Sequence, residues 1–112
     1  MKILSWNVRG LGKPQTRLAL KKILHLHWAQ ILFCCETKML ARQVKSICRD
    51  FNLENCFAVD RTGMGGGLAL LWSADVNVSI TSYSPHHVDA IVSSESGLRW
   101  RCTGIYGHPE FS

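Results

Sequence analysis

The first half of the chain has almost no acidic residues. Residues 1–49 contain ten lysines and arginines but a single acid, Glu36, a formal charge of +9. Residues 50–112 contain three arginines and seven acids, a formal charge of −4. A strongly basic half is compatible with a polyanionic partner such as nucleic acid. The alternative is that these charges only keep two helix faces in water.

Signals for a membrane span, for secretion and for a zinc site are also missing. No apolar run approaches the roughly 20 residues of a membrane span, and no secretory signal precedes the first predicted strand. The five cysteines include no C-x-x-C pair, and they show no zinc-ligand spacing with the five histidines. The sequence therefore predicts reduced, mostly buried thiols in a nuclear or cytoplasmic protein.

The pattern of residues 2–36 predicts two parallel strands joined by a helix. Residues 2–8 alternate between two faces, as in a strand that ends near Asn7. A helix is predicted from Gln15 to His27, and the apolar run Ile31–Cys35 is typical of a strand buried on both faces. Because a short β-α-β crossover makes its strands parallel, we expect Asn7 and Glu36 at one sheet edge.

Both predicted helices have an apolar face and a basic face. The first helix has Leu20, Ile23, Leu24 and His27 on the apolar face and Lys13, Arg17 and Lys21 on the basic face. The second helix, from Leu40 to Phe51, has Leu40, Val44, Ile47, Cys48 and Phe51 on the apolar face and Lys38, Arg42, Lys45 and Arg49 on the basic face. The outward positive charge supports solubility at least and attraction of anions at most.

The second half of the chain predicts an antiparallel meander, because its apolar residues recur with a period of two. The predicted strands are Cys56–Asp60, Leu68–Trp72, Val76–Ser82, His87–Val92 and Leu98–Tyr106. The glycines of residues 63–67 precede a strand and lack the Gly-Lys-Ser/Thr ending of a phosphate-binding P-loop, so they indicate a hairpin turn. A chain of 112 residues with 46% hydrophobic residues is large enough for one folded domain.

Polar residues at the predicted strand ends are the candidates for chemistry. Glu36 is a suitable ligand for a hard cation such as Mg²⁺, Asn7 and Tyr106 are suited to phosphate oxygens, and Lys38 adds positive charge nearby. Each residue also has a purely structural interpretation. Glu36 would pair with Lys38 or Arg9, Asn7 would cap the turn after its strand, and Tyr106 would be an edge aromatic.

The histidines rank below these residues as candidates. His86 and His87 suggest metal binding or proton transfer, but adjacent strand residues point to opposite faces and would not easily serve one site. His108 lies in a Gly-His-Pro turn.

The order and spacing of several motifs resemble the amino-terminal half of the endonuclease/exonuclease/phosphatase superfamily. The motifs are Ser5-Trp6-Asn7-Val8-Arg9-Gly10-Leu11, Cys35-Glu36-Thr37-Lys38, Gly66-Gly67-Leu68-Ala69-Leu70-Leu71 and Gly104-Ile105-Tyr106-Gly107. Two further stretches are similar to the apurinic-type endonuclease domain that opens the reverse-transcriptase polyprotein of plant LINE-type (non-LTR) retrotransposons. These are Tyr83-Ser84-Pro85-His86-His87-Val88-Asp89-Ala90 and Tyr106-Gly107-His108-Pro109-Glu110.

The resemblance implies a fold, a reaction and a role for each matched residue. It implies an α+β sandwich of two sheets flanked by helices, with residues 1–112 forming one partial domain. It implies a Mg²⁺-dependent phosphodiester hydrolase that nicks DNA, with Glu36 as the metal ligand. Asn7 and Tyr106 then complete the catalytic set carried by this chain, Asn7, Arg9, Lys38 and Tyr106 contact the DNA phosphates, and the rest of the polyprotein is the expected partner.

The chain departs from the family pattern at several positions. Arg9 replaces an acid that many repair-type members have near the metal, which favours phosphate attraction over a second metal contact. Cys35 replaces a common Gln, and His108 and Pro109 alter the residues after Tyr106. The family's Asp-x-Asn and Ser-Asp-His motifs would lie beyond Ser112, so this chain is expected to hold about half of an active site.

Two other functions remain open from the sequence. The chain could be a catalytically inactive retroelement remnant that at most binds nucleic acid without sequence preference, or a phosphatase of the same superfamily. The basic first half and the Tyr106 motif favour the nuclease over the phosphatase.

Overall fold

The computed structural model describes residues 2–106. Its elements in chain order are β1 (Ile3–Asn7), α1 (Pro14–His27), β2 (Ile31–Cys35), α2 (Ala41–Ile47), a 3₁₀ turn (Cys48–Phe51), β3 (Asn55–Thr62), β4 (Gly65–Trp72), β5 (Asn77–Ser84), β6 (His87–Ser93) and β7 (Arg99–Ile105). No helix among these residues has the length and apolar character needed to cross a membrane.

The strands form two sheets, which confirms the predicted α+β sandwich. The first sheet has the order β1-β2-β4-β3, and the second has the order β5-β6-β7. β1 and β2 are parallel, as the crossover predicted, and every other pair is antiparallel. The prediction of one continuous meander is wrong, because β4 pairs with β2 and β3 and the chain then crosses to the second sheet. Residues 67–71 of β4 are buried, as expected of a central strand.

Two apolar clusters hold the layers together. The cluster between the sheets includes Ile31, Phe33, Cys35, Leu68, Leu70, Val88, Ala90 and Val92. The cluster between the first sheet and the helices includes Leu20, Leu24, Leu32, Cys34, Val44, Cys48, Phe51, Ala69 and Leu71. All five residues of β2 are buried and contribute alternately to the two clusters, which confirms the prediction of a strand covered on both faces.

The helices differ from prediction at three points. His27 is exposed rather than part of the apolar face of α1. Arg17 does not extend into solvent with the other residues of the basic face of α1. Its guanidinium donates to the Gly12 carbonyl at 3.3 Å and lies 4.0 Å from the Asp50 carboxylate. The second helix ends at Ile47 and continues as the 3₁₀ turn, which stops at Asn52 in the left-handed region at φ 57°. All five cysteines are free thiols, as predicted.

Candidate active site

The parallel pairing of β1 and β2 sets one edge of the site. Asn7 lies opposite Cys35, the residue that precedes Glu36. Beyond the strands, the Gly10 N–H donates to the Glu36 carbonyl at 2.8 Å and the Leu11 N–H donates to the Thr37 carbonyl at 2.9 Å. The loop after β1 therefore runs along the turn after β2, and the expected proximity of Asn7 and Glu36 is confirmed.

Tyr106 reaches the same edge from the second sheet. It directly follows β7, and its phenol donates a hydrogen bond of 2.7 Å to Oε1 of Glu36. The hydrogen bond to the carboxylate, partial burial and the negative charge of Glu36 raise the pKa of Tyr106 to about 12. Among residues 2–106, Glu36 forms no ion pair with Lys38 or Arg9, so the structural pairing considered from the sequence is absent.

The turn that presents Glu36 has an unusual backbone. Glu36 and Lys38 both have φ 56°, in the left-handed region that disfavours side chains, and Arg9 across the loop has φ 49°. Such conformations persist only where the surrounding structure holds them. Here the Thr37 and Lys38 N–H groups donate to the carbonyls of Gly67 and Gly66 at 3.1 and 2.8 Å.

Gly67 is required for this turn because the Thr37 hydroxyl occupies the space a side chain would need. Gly67 has φ +92°, and a Cβ built on it would collide with Thr37 Oγ1 and come within 3.2 Å of the Lys38 nitrogen. Thr37 is fully buried. The glycine-rich stretch therefore does more than turn a hairpin, since it allows β4 to approach the residues on both sides of Thr37.

Asn7 has both a structural role and a possible chemical one. Its Oδ1 accepts the Arg9 N–H at 3.2 Å, which is the turn-capping role considered from the sequence. Its side chain is exposed, and within residues 2–106 its amide NH₂ donates to no group. The capping bond therefore leaves the two donor hydrogens for a ligand at the sheet edge. Arg9 and Lys38 are also exposed at this edge.

The residues at this edge fit a hydrated Mg²⁺ ion better than a fully protein-bound metal. The described part of the chain contains no cluster of three or more His, Cys, Asp or Glu side chains able to hold a metal. Glu36 offers one carboxylate, and its Oε2 accepts no hydrogen bond from the described residues. Mg²⁺ is commonly bound through one or two carboxylates with waters and substrate phosphate completing its shell.

His86 also lies at the site, which sequence reasoning did not anticipate. Its ring stacks against that of Tyr106, with centroids 6.4 Å apart and planes inclined by 23°. His87 faces elsewhere, with Ser82 and Ser84 hydroxyls 3.1 and 2.7 Å from its ring nitrogens. The two histidines therefore diverge, as predicted, but the one nearer the site could be identified only from the pairing of β6 with β7. His108, Pro109 and Glu110 lie outside the described residues.

Positive charge extends from the site along one helix face. The first exposed basic residue lies in the turn that follows Glu36, and three more follow along α2 and the 3₁₀ turn. They are Lys38, Arg42, Lys45 and Arg49. This part of the predicted basic surface is therefore present in the fold.

Comparison with known proteins identifies the fold. No family model and no curated protein matches the chain. Among solved structures, the AP endonuclease LMAP from Leishmania major is 14% identical with a TM-score of 0.62, and the match covers 91% of this chain and 38% of that one. The 3′ phosphatase NExo from Neisseria, bound to a product DNA hairpin, is 18% identical with a TM-score of 0.56, covering 99% and 46%.

A third neighbour is a humanized TDP2 from D. rerio, 20% identical with a TM-score of 0.58, covering 96% of this chain and 51% of that one. The three neighbours share a DNase-I-like fold. The chain therefore has this fold, and it spans between 38% and 51% of the length of these neighbours.

Proposed function

We propose that this chain carries the metal-binding part of a Mg²⁺-dependent phosphodiester hydrolase site that nicks DNA. The observation that supports the proposal most is the 2.7 Å hydrogen bond from Tyr106 to Glu36, at the edge where Asn7 also lies. It joins a carboxylate from the first sheet with a phenol from the second. The DNase-I-like fold, found in neighbours that process DNA, makes phosphodiester chemistry the reaction best suited to this arrangement.

Each residue has a role that follows from its donors and charge. Glu36 would hold Mg²⁺, which when bound neutralises negative charge that develops on phosphate oxygens. The Asn7 amide NH₂ would donate to a phosphate oxygen. Arg9 and Lys38 would attract the DNA backbone and hold it at the rim. The Tyr106 hydroxyl has a single proton, so it would contact the phosphate by releasing Oε1 of Glu36.

The test of the metal site is an NMR titration of the chain with millimolar Mg²⁺. We expect the amide signals of Asn7, Glu36 and Tyr106 to shift, and the shifts to disappear in Glu36→Gln. Glu95→Gln is the matched control, because Glu95 is an exposed residue in the turn between β6 and β7. Absence of a Mg²⁺ response at Glu36 in the wild-type chain would contradict the proposal.

A nicking assay on supercoiled plasmid tests how much of the reaction this chain supports. We expect no measurable nicking with Mg²⁺, because the groups of a catalytic unit act together and the chain spans about half of its structural neighbours. Nicking by the wild-type chain that is lost in Glu36→Ala would show instead that the residues present are sufficient.

The origin that we propose for the domain is the start of a plant LINE-type retroelement polyprotein, acting in the nucleus or cytoplasm. The quoted motifs around His86 and Tyr106 support this origin. The genomic reading frame after the Ser112 codon tests it: codons for Asp-x-Asn and Ser-Asp-His motifs followed by a reverse transcriptase are expected.

The alternative is a remnant that binds nucleic acid without catalysis, and the exposed basic face of α2 favours it. Binding through this face would be electrostatic, so DNA should be released at moderate salt. The logarithm of the binding constant should fall with the logarithm of the salt concentration, with a slope of about −0.9 per phosphate contact. Replacing both Arg42 and Lys45 by Gln should make the binding constant less dependent on salt. Replacing Lys21 and Lys22 on α1 by Gln tests whether the loss of any two positive charges has the same effect. DNA binding that salt does not weaken would exclude this alternative.

A phosphatase of the same fold is the remaining alternative, since one structural neighbour is named as a 3′ phosphatase. Release of inorganic phosphate from a 3′-phosphorylated oligonucleotide, abolished in Glu36→Ala, would favour it over the nuclease.

A further inference from the structure

The turn between β5 and β6 holds one aromatic side chain at the rim of the site. Ser84 pairs with His87 across the turn, which leaves Pro85 and His86 as its two central residues. The ring of Pro85 restricts the backbone on one side of His86. The side chain of His86 is exposed, and its ring stacks against Tyr106.

The backbone of His86 is fixed on both sides by hydrogen bonds. Its N–H donates to the Ser84 hydroxyl at 3.0 Å, and its carbonyl accepts the Tyr106 N–H at 2.8 Å. The second bond continues the pairing of β6 with β7 beyond the end of the strand. An exposed turn residue is thus held in a defined position beside Tyr106, whose hydroxyl reaches Glu36.

We propose that the imidazole of His86 is a stacking platform for a base of single-stranded DNA, next to the phosphate held at Glu36. Bases of unpaired strands stack on aromatic side chains of many nucleic-acid-binding proteins, whatever their sequence. A ring whose backbone is already held loses little freedom when it binds. This inference rests on the proposed function, and it requires that the nucleotide flanking the attacked phosphate is unpaired when it binds.

Fluorescence anisotropy at low salt with the full chain tests the proposal. The probes are an oligothymidylate and an abasic oligonucleotide of the same length and charge. We expect His86→Ala to weaken oligothymidylate binding about five-fold and to leave binding of the abasic strand unchanged. His86→Phe should restore the binding of the oligothymidylate, because the aromatic face is retained. His27→Ala is the control, since His27 is an exposed histidine at the end of α1.

The substitutions also identify the result that would overturn the proposal. Rescue by His86→Gln but not by His86→Phe, or equal weakening for both oligonucleotides, would show a hydrogen bond to the backbone in place of stacking. Failure of the wild-type chain to bind oligothymidylate would also overturn it, even with a Mg²⁺ response at Glu36. Binding that depends on His86 without any Mg²⁺ response at Glu36 would contradict the proposed function alone.

Discussion

The hydroxyl of Tyr106 lies 2.7 Å from Oε1 of Glu36, although 70 residues separate the two in sequence. Tyr106 follows the last strand of the second sheet and Glu36 follows a central strand of the first. The hydrogen bond therefore joins the two sheets at the candidate site. Because of this, the position of the carboxylate depends on how the sheets pack, and a change in packing should be detectable at Tyr106.

The ionisation of Tyr106 is the first prediction. Its pKa is raised to about 12, chiefly by the hydrogen bond to Glu36, so its phenolate absorbance should appear about two pH units above that of an ordinary tyrosine. Glu36→Gln should lower the midpoint of the titration towards 10. The measurement needs a Tyr83→Phe background, because the chain contains two tyrosines.

The same pKa shift determines how stability depends on alkaline pH. Since the folded state has the higher pKa, the stabilisation is complete below about pH 10 and is lost as pH rises towards 12. Tyr106→Phe should remove this dependence. A midpoint for Tyr106 that does not change in Glu36→Gln would show that the hydrogen bond is not its cause.

Substitution of Gly67 should destabilise the chain more than substitution of another strand glycine. Gly67→Ala would place a methyl group against the Thr37 hydroxyl at φ +92°, and we expect a loss of about 2 kcal/mol or more in urea unfolding. Gly65→Ala is the control, because a Cβ at Gly65 has no atom within 4 Å. Equal effects of the two substitutions would contradict this role of Gly67.

The carboxylate of Asp89, on the outer face of the second sheet, should make the stability of the protein sensitive to acid. Arg101 Nε lies 3.0 Å from both carboxylate oxygens of Asp89, and the Thr103 hydroxyl donates to Oδ1 at 2.9 Å. These hydrogen bonds hold the pKa of Asp89 well below its usual range. The stabilisation is therefore complete above about pH 4 and is lost as pH falls through the lowered pKa.

Urea unfolding at several pH values checks this prediction with Asp89→Asn. The variant should be less stable than the wild type at neutral pH, and the difference should shrink as pH falls below about 4. Glu95→Gln, an exposed residue in the turn before β7, should show neither effect. A difference between Asp89→Asn and the wild type that is independent of pH would rule out the carboxylate as its origin.

Exposed apolar side chains on the edge strands β7 and β1 predict binding of a hydrophobic dye. Ile105 at the end of β7 is 71% exposed, and Trp100 on the same strand and Ile3 on β1 are 36% and 40% exposed. These side chains lie on β7 and β1, which are edge strands of the two sheets, and uncovered apolar surface binds such dyes. Ile105→Thr should reduce dye fluorescence more than Leu26→Thr, since Leu26 on α1 is equally exposed at 71%. A monomeric chain that does not bind the dye would contradict the prediction.

The features that could be predicted from sequence depend on short-range patterns. β2 was predicted to the residue because five apolar residues end abruptly at Glu36. The proximity of Asn7 and Glu36 followed from the handedness and length of one crossover. Both inferences concern a stretch of fewer than about 40 residues, in which the two strands can pair in one way.

The contacts that could not be predicted depend on how distant strands are arranged. A two-residue period does not say which sheet a strand joins, so the crossing of the chain after Trp72 was missed. The stacking of His86 on Tyr106 depends on the register of β6 with β7, which pairs His87 with Ile105. Arg17 was placed on an exposed stripe by its helical spacing, but its partner Asp50 lies far along the sequence.

The left-handed backbone of Arg9, Glu36 and Lys38 limits how this protein can be stabilised by design. Each such residue costs about 1–2 kcal/mol relative to glycine in the same conformation. Glycine at Lys38 should therefore make the chain more resistant to heat while it removes a charge from the rim. A selection for thermostability alone would erode the site at these three positions, so an engineered stable form needs its substitutions on the outer faces of the helices and of the second sheet.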